Sequence, residues 1–377
     1  MPPIRILIVD DSSLIRRVLS DELAKDPALA IAGMAANGRI ALSKLQQVNP
    51  DLVILDVEMP VMDGLETLTE IRKTHPKLPV IMFSTLTERG AAITLDALAR
   101  GATDYVTKPS NTGSLDASLG QINDQLIPRL KALCQPRAKL PKNSAPLGMP
   151  VQPRKFPAAV PSRVDILAIG TSTGGPNALA AVIPSIPANF PVPIVIVQHM
   201  PKVFTKLLAA RLDSLSPLTI QEGQQGCPLK PGEAWLAPGD YHMTVQRQGD
   251  FVHLALNQDI PENSCRPAVD PLFRSVANTF GAHVLAVVLT GMGYDGVRGS
   301  QHVRENGGQV VVQDEPSSVV WGMPGQVVAA GLADGVYPLS SIAQEIVRRV
   351  GSQRIISTSS ITGRLCVPDG ERQGEHT

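Results

Sequence analysis

The sequence predicts an α/β protein with two doubly wound parallel-sheet domains joined by a proline-rich linker. Short strands that are apolar along their whole length alternate with helical patterns, which indicates parallel sheets covered on both faces. This alternation stops at residues 135–163, where proline and basic residues are frequent, and then resumes. The length of 377 residues fits two domains, since a domain typically has about 150 residues.

In the first half, the predicted strands are four apolar runs with helical segments such as "SSLIRRVLSDELAKD" between them. The runs are "IRILIVD", "LVILD", "PVIMFS" and "DYVTKP". Reactive groups in such sheets gather at the carboxyl ends of the strands. We therefore expect the chemistry of this half among the residues at these ends, which are Asp10, Asp11, Asp56, Ser84 and Lys108.

The second half repeats the pattern after the linker. Its predicted strands are "VDILAIG", "VPIVIVQHM", "EAWLAPG", "HVLAVVLTGMG" and "GQVVVQD", and its predicted helices include "KVFTKLLAARLDSL" and "DPLFRSVANTFG". We place the first domain at residues 1–126, the linker at 127–163, the second domain at 164–351 and a polar, disordered tail at 352–377. Proline favours extended geometry in the linker, which is either an inert spacer or a contact segment.

Composition excludes several classes of protein. The 34 Lys and Arg residues balance 34 Asp and Glu residues, so no basic excess indicates a nucleic-acid partner. The four cysteines are scattered and are expected to be reduced thiols. No signal-peptide pattern is seen, and no apolar run approaches the ~18 residues of a membrane span. These features predict a soluble cytoplasmic protein without membrane insertion.

The carboxylates of Asp10, Asp11 and Asp56 are costly to place together, because like charges repel. A bound divalent cation offsets this repulsion, and a few hard oxygen ligands suit Mg²⁺. Asp56, the last residue of its strand, is open to attack a phosphoryl donor, after which Lys108 can pair with the phosphate and Ser84 can hydrogen-bond it. Acidic residues at strand ends can instead cap the following helices, which accounts for Asp11 alone but not for the whole set.

The stretch "GTSTGGP" at Gly170–Pro176 follows a predicted strand and precedes a predicted helix. It fits the pattern G-x-S-x-G, in which a serine nucleophile stands on a sharp strand-to-helix turn. A glycine-rich turn before a helix also suits phosphate binding. The motif alone leaves both hypotheses open for Ser172.

A serine nucleophile needs a base, and the base needs an acid that orients it. His199 ends the strand "VPIVIVQ", and Asp295 lies in the glycine-rich loop after "HVLAVVL". Ser172, His199 and Asp295 thus come from three strand ends, where a doubly wound sheet brings side chains together. The order Ser, His, Asp differs from that of α/β-hydrolases, which argues against that fold but not against that chemistry. The other histidines of this half are weaker candidates: His242, His253, His283 and His302.

The first half resembles a response-regulator receiver domain, because "VDDS", "LDVEMPVMDG", "MFSTLT" and "VTKP" occur in that order. The resemblance implies a flavodoxin-like fold, with Asp56 accepting a phosphoryl group from a histidine kinase. It implies Ser84 and Tyr105 as switch residues and Lys108 as the partner of the phosphate. The Mg²⁺ ligands that it implies are Asp10, Asp11, Asp56 and the backbone carbonyl of Glu58.

The second half resembles the catalytic domain of the chemotaxis methylesterase CheB family. The words that carry the resemblance are "IGTSTGGPNAL", "VIVQHMP", "WLAPGDYHM", "CRPAVDPLFRSV" and "VVLTGMGYDG". Together the two resemblances cover nearly the whole chain. The departures are Thr171 in the turn, Tyr294 before the aspartate, and a linker without a counterpart.

This second resemblance implies a Rossmann-like fold and a hydrolase that needs no cofactor in this domain. Ser172 would be the nucleophile, His199 the general base and then acid, and Asp295 the residue that orients His199. The further roles that it implies are oxyanion binding by the backbone at Thr173 and Met292, and positioning of an acidic substrate surface by Arg266.

The implied reaction is hydrolysis of glutamate γ-methyl esters on the cytoplasmic helices of chemoreceptors, with release of methanol. Glutamine deamidation at the same sites would use the same acyl-enzyme chemistry. The receiver would cover the catalytic cleft until Asp56 is phosphorylated.

Three alternatives remain for the second half: a binding domain in which "GTSTGG" only contacts a phosphate or backbone, a DNA-binding output domain, and an esterase for small free esters. The second predicts a basic helix-turn-helix near the C-terminus, and "SIAQEIVRRV" is too short and isolated to be one.

Overall fold

The computed structural model describes residues 2–108, 120, 122–134 and 163–359, with side chains up to Gly351. The predicted linker, except for its ends, and residues 360–377 of the predicted tail lie outside the described residues. Among the described residues, no helix combines the length and apolar character needed to cross a membrane.

The first domain is built on a five-stranded parallel sheet with the strand order β2–β1–β3–β4–β5. Its strands are β1 (Ile4–Val9), β2 (Leu29–Ala35), β3 (Leu52–Asp56), β4 (Val80–Ser84) and β5 (Asp104–Thr107). Its helices are α1 (Ser13–Leu23), α2 (Gly38–Val48), α3 (Gly64–Thr74), α4 (Glu88–Ala99) and α5 (Ile127–Cys134).

Helices cover both faces of this sheet, because successive strand side chains point to opposite sides. On β1, Leu7 and Val9 pack with α2, α3 and α4. Ile6 and Ile8 pack with α1 and α5 instead. The predicted doubly wound parallel fold is confirmed for this domain. The prediction did not include β2, an edge strand of mostly half-buried small and apolar residues that does not form a continuous apolar run.

The predicted end of the first domain at residue 126 is wrong. A π-helical turn at Ile122–Leu126 continues into α5, and Ile122, Leu126 and Leu130 are buried in the same core as β1. Residues 127–134 are therefore part of the first domain and not of the linker. The amphipathic spacing of these three residues is the signal that the compositional boundary overlooked.

The second domain has a seven-stranded parallel sheet. In chain order its elements begin with β6 (Ile166–Thr171), α6 (Gly175–Val182), β7 (Ile194–Gln198), α7 (Lys202–Leu215), β8 (Thr219–Glu222) and β9 (Glu233–Leu236). An antiparallel hairpin of β10 (His242–Gln248) and β11 (Phe251–Asn257) follows. The remaining elements are α8 (Val269–Phe280), β12 (Val284–Val288), α9 (Val297–Glu305), β13 (Gln309–Gln313), α10 (Met323–Ala329), β14 (Gly335–Tyr337) and α11 (Leu339–Ser359).

The strand order of this sheet is β14–β13–β12–β6–β7–β9–β8. The chain starts at β6 in the middle and extends the sheet first to one side and then to the other. The five predicted strands correspond to β6, β7, β9, β12 and β13. The hairpin and the short strands β8 and β14 were not predicted, because β8 and β14 are brief, partly exposed edge strands. Helix α11 reaches Ser359, so the predicted tail boundary at residue 351 falls inside a helix.

The two domains share one hydrophobic core along α4, α6 and α7. The ring of Tyr105 on β5 stacks on the ring of Phe204 on α7, with centroids 4.6 Å apart. Arg211 pairs with Asp96 at 2.9 Å, and Asn177 Nδ2 donates to the carbonyl of Leu98 at 2.9 Å. The first domain therefore contacts the second through α4 and β5.

Candidate functional site

Each sheet has one crevice where the direction of chain progress reverses, and ligands of doubly wound sheets bind there, beyond the carboxyl ends of the strands. In the first domain the reversal lies between β1 and β3. In the second domain it lies between β6 and β12. Asp10 and Asp56 lie at the ends of the strands that border the first crevice, and Ser172 and Asp295 follow the strands that border the second.

In the first domain, Asp10 follows β1 and Asp56 ends β3. Carboxylate oxygens of Asp10, Asp11 and Asp56 lie within 4.8 Å of one another. Burial and the charge of Asp10 raise the pKa of Asp56 to about 6, against the opposing effect of Lys108. Lys108 Nζ lies 2.8 Å from Asp10 and 2.8 Å from Asp56. The structure thus brings together the predicted carboxylates and the predicted lysine.

The oxygen set fits a hard divalent cation. Asp56 Oδ2 is buried and has no hydrogen-bond partner among the residues that the structure describes, and a buried unpartnered carboxylate oxygen is costly unless something binds it. Glu58 donates its backbone N–H to Asp56 Oδ1 at 3.3 Å, while its side chain pairs with Arg89. Its role as a carbonyl ligand stays a prediction.

The two predicted switch residues contact α4 and the second domain. Ser84 is fully buried, and its hydroxyl donates to the carbonyl of Gly90 on α4 at 3.2 Å. Tyr105 is 8% exposed because its ring stacks on Phe204 of the second domain. Both side chains are therefore placed where a movement of α4 or β5 would reach the second domain.

In the second domain, Ser172 lies on the turn between β6 and α6 and is 7% exposed. Its backbone N–H donates to the carbonyl of Thr290 at 3.0 Å, and the hydroxyl of Thr171 donates to the same carbonyl at 2.9 Å. Gly174 has φ +78°, a conformation that favours glycine. A side chain on Gly291 would lie 2.9 Å from Ser172 Cβ, so glycine is needed there for close approach.

His199 follows β7, and its Nε2 lies 2.7 Å from Asp295 Oδ2. Because an ionised carboxylate only accepts hydrogen bonds, Nε2 is the donor and Nδ1 is the nitrogen left to take up a proton. Burial disfavours the imidazolium, but contacts with Cys265 and Asp295 outweigh burial and raise the pKa of His199. The predicted base and acid are thus in hydrogen-bond contact.

Asp295 is held in place by backbone and side-chain donors. The N–H groups of Val269 and Asp270 at the start of α8 donate to it at 2.6 and 3.1 Å, and Asn263 Nδ2 donates at 2.8 Å. Burial alone would raise the pKa of Asp295, but His199 and these helix N–H groups outweigh burial and lower it. Asp295 therefore stays ionised beside the imidazole.

Ser172 makes no hydrogen bond with His199 in the part of the chain that the structure describes. The hydroxyl and the imidazole are brought to neighbouring strand ends, but the contact between them is not formed. The sulfur of Cys265 lies 3.5 Å from His199 Nδ1 instead. Catalytic hydrogen bonds are often long or unformed without substrate, so this geometry does not remove Ser172 as a candidate.

The two predicted oxyanion groups are free to donate. Within the described residues, the backbone N–H groups of Thr173 and Met292 make no hydrogen bond. Met292 follows Gly291, which lies against Ser172. Unpaired N–H groups of this kind are what an oxyanion site requires, and the role of these two stays a prediction.

Arg266 lies at the rim of the site, with its donors already engaged. Its guanidinium pairs with Asp240 at 2.5 Å, and Nη1 donates to the carbonyls of Gln258 and Asp259 at 3.1 Å each. These contacts brace the loop after β11. They leave the predicted role of Arg266 toward substrate a prediction only.

Sequence reasoning missed three residues that support the site. Gln198 Nε2 donates to the carbonyls of Ser172 and His199, at 3.0 and 3.2 Å. Asn263 Nδ2 bridges Asp295 and Asp270. Cys265 contacts His199. Gln198 precedes His199 in the motif "VIVQHMP", and Cys265 begins the motif "CRPAVD". Two of these residues therefore lie in sequence motifs that carry the family resemblance.

Three other histidines of the second domain make contacts elsewhere. His242 is buried between the carbonyl of Ile260 and the N–H of Ala268. His283 contacts the carbonyl of Arg163, and His302 contacts Asn278. His199 is the histidine that contacts Asp295, as predicted.

The fold and the two sites define a class of protein: a response-regulator receiver attached to a hydrolase-like α/β domain. Comparison with known families agrees, since the response regulator receiver domain matches residues 6–119 and the CheB methylesterase family matches residues 167–346. The chain belongs to the protein-glutamate methylesterase/protein-glutamine glutaminase family.

Relatives that carry this name include one from Trichodesmium erythraeum, 53% identical over 93% of this chain and 100% of the relative. Another, from a Nocardioides species, is 50% identical over 94% of this chain and 97% of the relative. The solved CheB methylesterase catalytic domain of Thermotoga maritima is 44% identical, covering 50% of this chain and 99% of that one, with a TM-score of 0.49.

Proposed function

We propose that this chain is a phosphorylation-activated protein-glutamate methylesterase and protein-glutamine glutaminase that acts on chemoreceptor methylation sites. The observation that carries the proposal is the contact between His199 and Asp295, formed at strand ends beside the turn that holds Ser172. The family of the chain agrees with this activity.

The geometry supports an acyl-transfer mechanism. The hydroxyl of Ser172 would attack the γ-carbonyl of the substrate while His199 Nδ1 takes its proton. The N–H groups of Thr173 and Met292 would hold the oxyanion. His199 would then give the proton to the methoxide oxygen, which leaves as methanol, or to the amide nitrogen, which leaves as ammonia when the substrate is glutamine. A water activated by the same nitrogen would hydrolyse the acyl-enzyme.

In the receiver, Asp10, Asp11 and Asp56 would hold Mg²⁺. Bound there, the cation would offset the charge of the carboxylates and of the incoming phosphoryl group. The nucleophile in this step is Asp56, and Lys108 is placed to pair with the phosphate that forms. A histidine kinase is the phosphodonor that such a receiver implies.

Contacts between the domains support inhibition by the receiver. Burial raises the pKa of Asp104 in the receiver, against the opposing effects of Arg129 and of Thr173, the residue after the proposed nucleophile. Tyr105, which follows Asp104 on β5, stacks on Phe204 of the second domain. Phosphorylation adds roughly −1.5 to −2 charges at Asp56, which would draw the Ser84 hydroxyl from α4 toward the phosphate. Movement of α4 and β5 would then loosen these contacts.

The partners that follow are the methylated cytoplasmic helices of chemoreceptors as substrate and a histidine kinase as phosphodonor. Both of these act in the cytoplasm, so we place the protein there.

The test is release of methanol from a methylated chemoreceptor by the full-length protein, with and without a small-molecule phosphodonor. Release that increases with the phosphodonor supports the proposal. Equal turnover of the receptor and of a small free methyl ester would favour the simple esterase. No release from either substrate would favour a binding domain.

Replacement of Asp56 by asparagine is expected to abolish activation by the phosphodonor while leaving basal methanol release unchanged. The amide keeps the shape of the side chain but cannot form an acyl phosphate. The matched control is Asp21→Asn, because Asp21 is an exposed carboxylate on α1. Full activation of Asp56→Asn would show that another residue is the phospho-acceptor.

Reversing one charge at the domain interface is expected to raise basal activity. Asp96→Lys places two cations together at Arg211, which weakens the closed arrangement by about 1 kcal/mol and increases the open population about fivefold. The double variant Asp96→Lys with Arg211→Glu restores an ion pair and is expected to return basal methanol release to the wild-type level. Unchanged release in the single variant would mean that this contact does not hold the receiver closed.

A further inference from the structure

We infer that Cys265 is a positioning residue for this reaction: without substrate, its thiol holds the nitrogen of His199 that must take the proton of Ser172. The inference rests on the proposed function of the same site. It assigns a role to a side chain that the triad does not include.

The first step concerns which nitrogen is available. His199 Nε2 is committed to Asp295 at 2.7 Å. Asp295 in turn is fixed by the start of α8 and by Asn263. The ring therefore cannot turn over without breaking this buried hydrogen bond, and Nδ1 remains the proton-accepting nitrogen throughout.

The second step concerns what occupies that nitrogen. Cys265 Sγ lies 3.5 Å from Nδ1, within the usual range for a hydrogen bond that involves sulfur. Ser172 forms no such bond in the described part of the chain. The thiol is thus the partner of Nδ1 in this state, and the serine hydroxyl must replace it for the reaction to start.

The third step concerns what holds the thiol. The loop before α8 is anchored on both sides of Cys265. Asn263 has φ +53° and Ser264 has φ +61°, and the Asn263 side chain bonds Asp295 and Asp270. Arg266 bonds Asp240 and two carbonyls of the same loop. These contacts on both sides of Cys265 fix the loop and therefore the position of the sulfur.

The charged groups around His199 and Cys265 come from several elements of the second domain. Asp295 lies after β12, and Asp270 lies on α8 beside it. Glu262 of the loop pairs with Arg274 of α8 at 3.0 Å. Contacts with Cys265 and Asp295 both favour a protonated His199. When Nδ1 carries a proton, it donates to the sulfur of Cys265, and this contact favours the protonated ring. Because the base works only when Nδ1 is free of a proton, activity rises with pH through the pKa of His199, and loss of Cys265 moves this rise to lower pH.

The experiment measures kcat/KM for methanol release from methylated receptor against pH, using the full chain and the variants Cys265→Ala and Cys265→Ser. Cys227→Ala is the matched control, since Cys227 is also a free, partly buried thiol of this domain. We expect the rising limb to move down by about 1 pH unit in Cys265→Ala, in line with the loss of a hydrogen-bond acceptor for the protonated Nδ1. Cys265→Ser should move in the same direction, and the control should match wild type.

A second measurement does not depend on activity. The titration of the His199 imidazole is followed by ¹⁵N NMR in the same four proteins. A lower midpoint in both Cys265 variants supports the inference. Identical midpoints and identical pH profiles in wild type and both variants overturn it. If wild type is active and the pH profiles of the Cys265 variants are unshifted, this inference alone is refuted. If wild type is inactive, the proposed function is refuted, and the NMR titration still decides whether Cys265 contacts the base.

Discussion

Replacement of Ser172 by alanine is expected to reduce methanol release by about 10⁴-fold or more, the size of effect seen when a serine nucleophile is removed from a triad. The residual rate would come from substrate binding and the oxyanion donors at Thr173 and Met292. The fold should survive, because alanine is smaller than serine and the turn is held by backbone contacts with Thr290. The measurement is a single-turnover methanol assay with a thermal melt of the same sample.

The matched control for this variant is Ser214→Ala. Ser214 is an exposed serine on α7, and its hydroxyl donates to the carbonyl of Arg211 within the helix. Wild-type release is expected from the control. If Ser172→Ala released methanol as fast as the control, Ser172 would not be the nucleophile, and its turn would be only a phosphate or backbone contact.

Replacement of Asp295 by asparagine is expected to lower kcat by about 10³–10⁴-fold. The carboxylate accepts hydrogen bonds from His199, from two N–H groups of α8 and from Asn263. An amide has one accepting oxygen and brings an NH₂ group toward these donors. The imidazole would then lose the partner that keeps its proton on Nε2, so Nδ1 would no longer be free to act as the base.

Two comparisons separate this effect from simple unfolding. Asp250→Asn alters an exposed carboxylate in the turn between β10 and β11 and is expected to leave kcat unchanged. Far-UV circular dichroism of Asp295→Asn should match wild type, although its melting temperature should fall because α8 loses an anion at its N-terminus. A folded Asp295→Asn protein with wild-type kcat would rule out this residue as the partner of the base.

Much of the site follows from residues that stand at predictable places. In a parallel sheet the carboxyl ends of strands meet at one edge, so Asp10 and Asp56, and likewise Ser172 and His199, could be grouped before any coordinates. The same rule also predicted the position of Asp295, because its glycine-rich loop follows a strand that is apolar along its whole length.

Other features depend on contacts between segments that are distant in the chain. The roles of Asn263 and Cys265 arise because the loop before α8 crosses the end of β7, which no local pattern encodes. The predicted end of the first domain at residue 126 was misplaced, because a change in amino-acid composition was taken as the end of the segment that packs in its core. Helix α5 buries Leu130 in the receiver core although proline-rich sequence begins soon after it.

The sequence by itself determined the two parallel-sheet domains, the carboxylate cluster with Lys108, and the three strand ends that carry Ser172, His199 and Asp295. These depend on local periodicity and on the rule that strand ends converge. Only the tertiary structure decided which nitrogen of His199 faces Asp295, that Cys265 rather than Ser172 lies at the other nitrogen, and that Tyr105 stacks on Phe204. Side-chain contacts between separate elements depend on packing, and packing is settled by the whole chain at once.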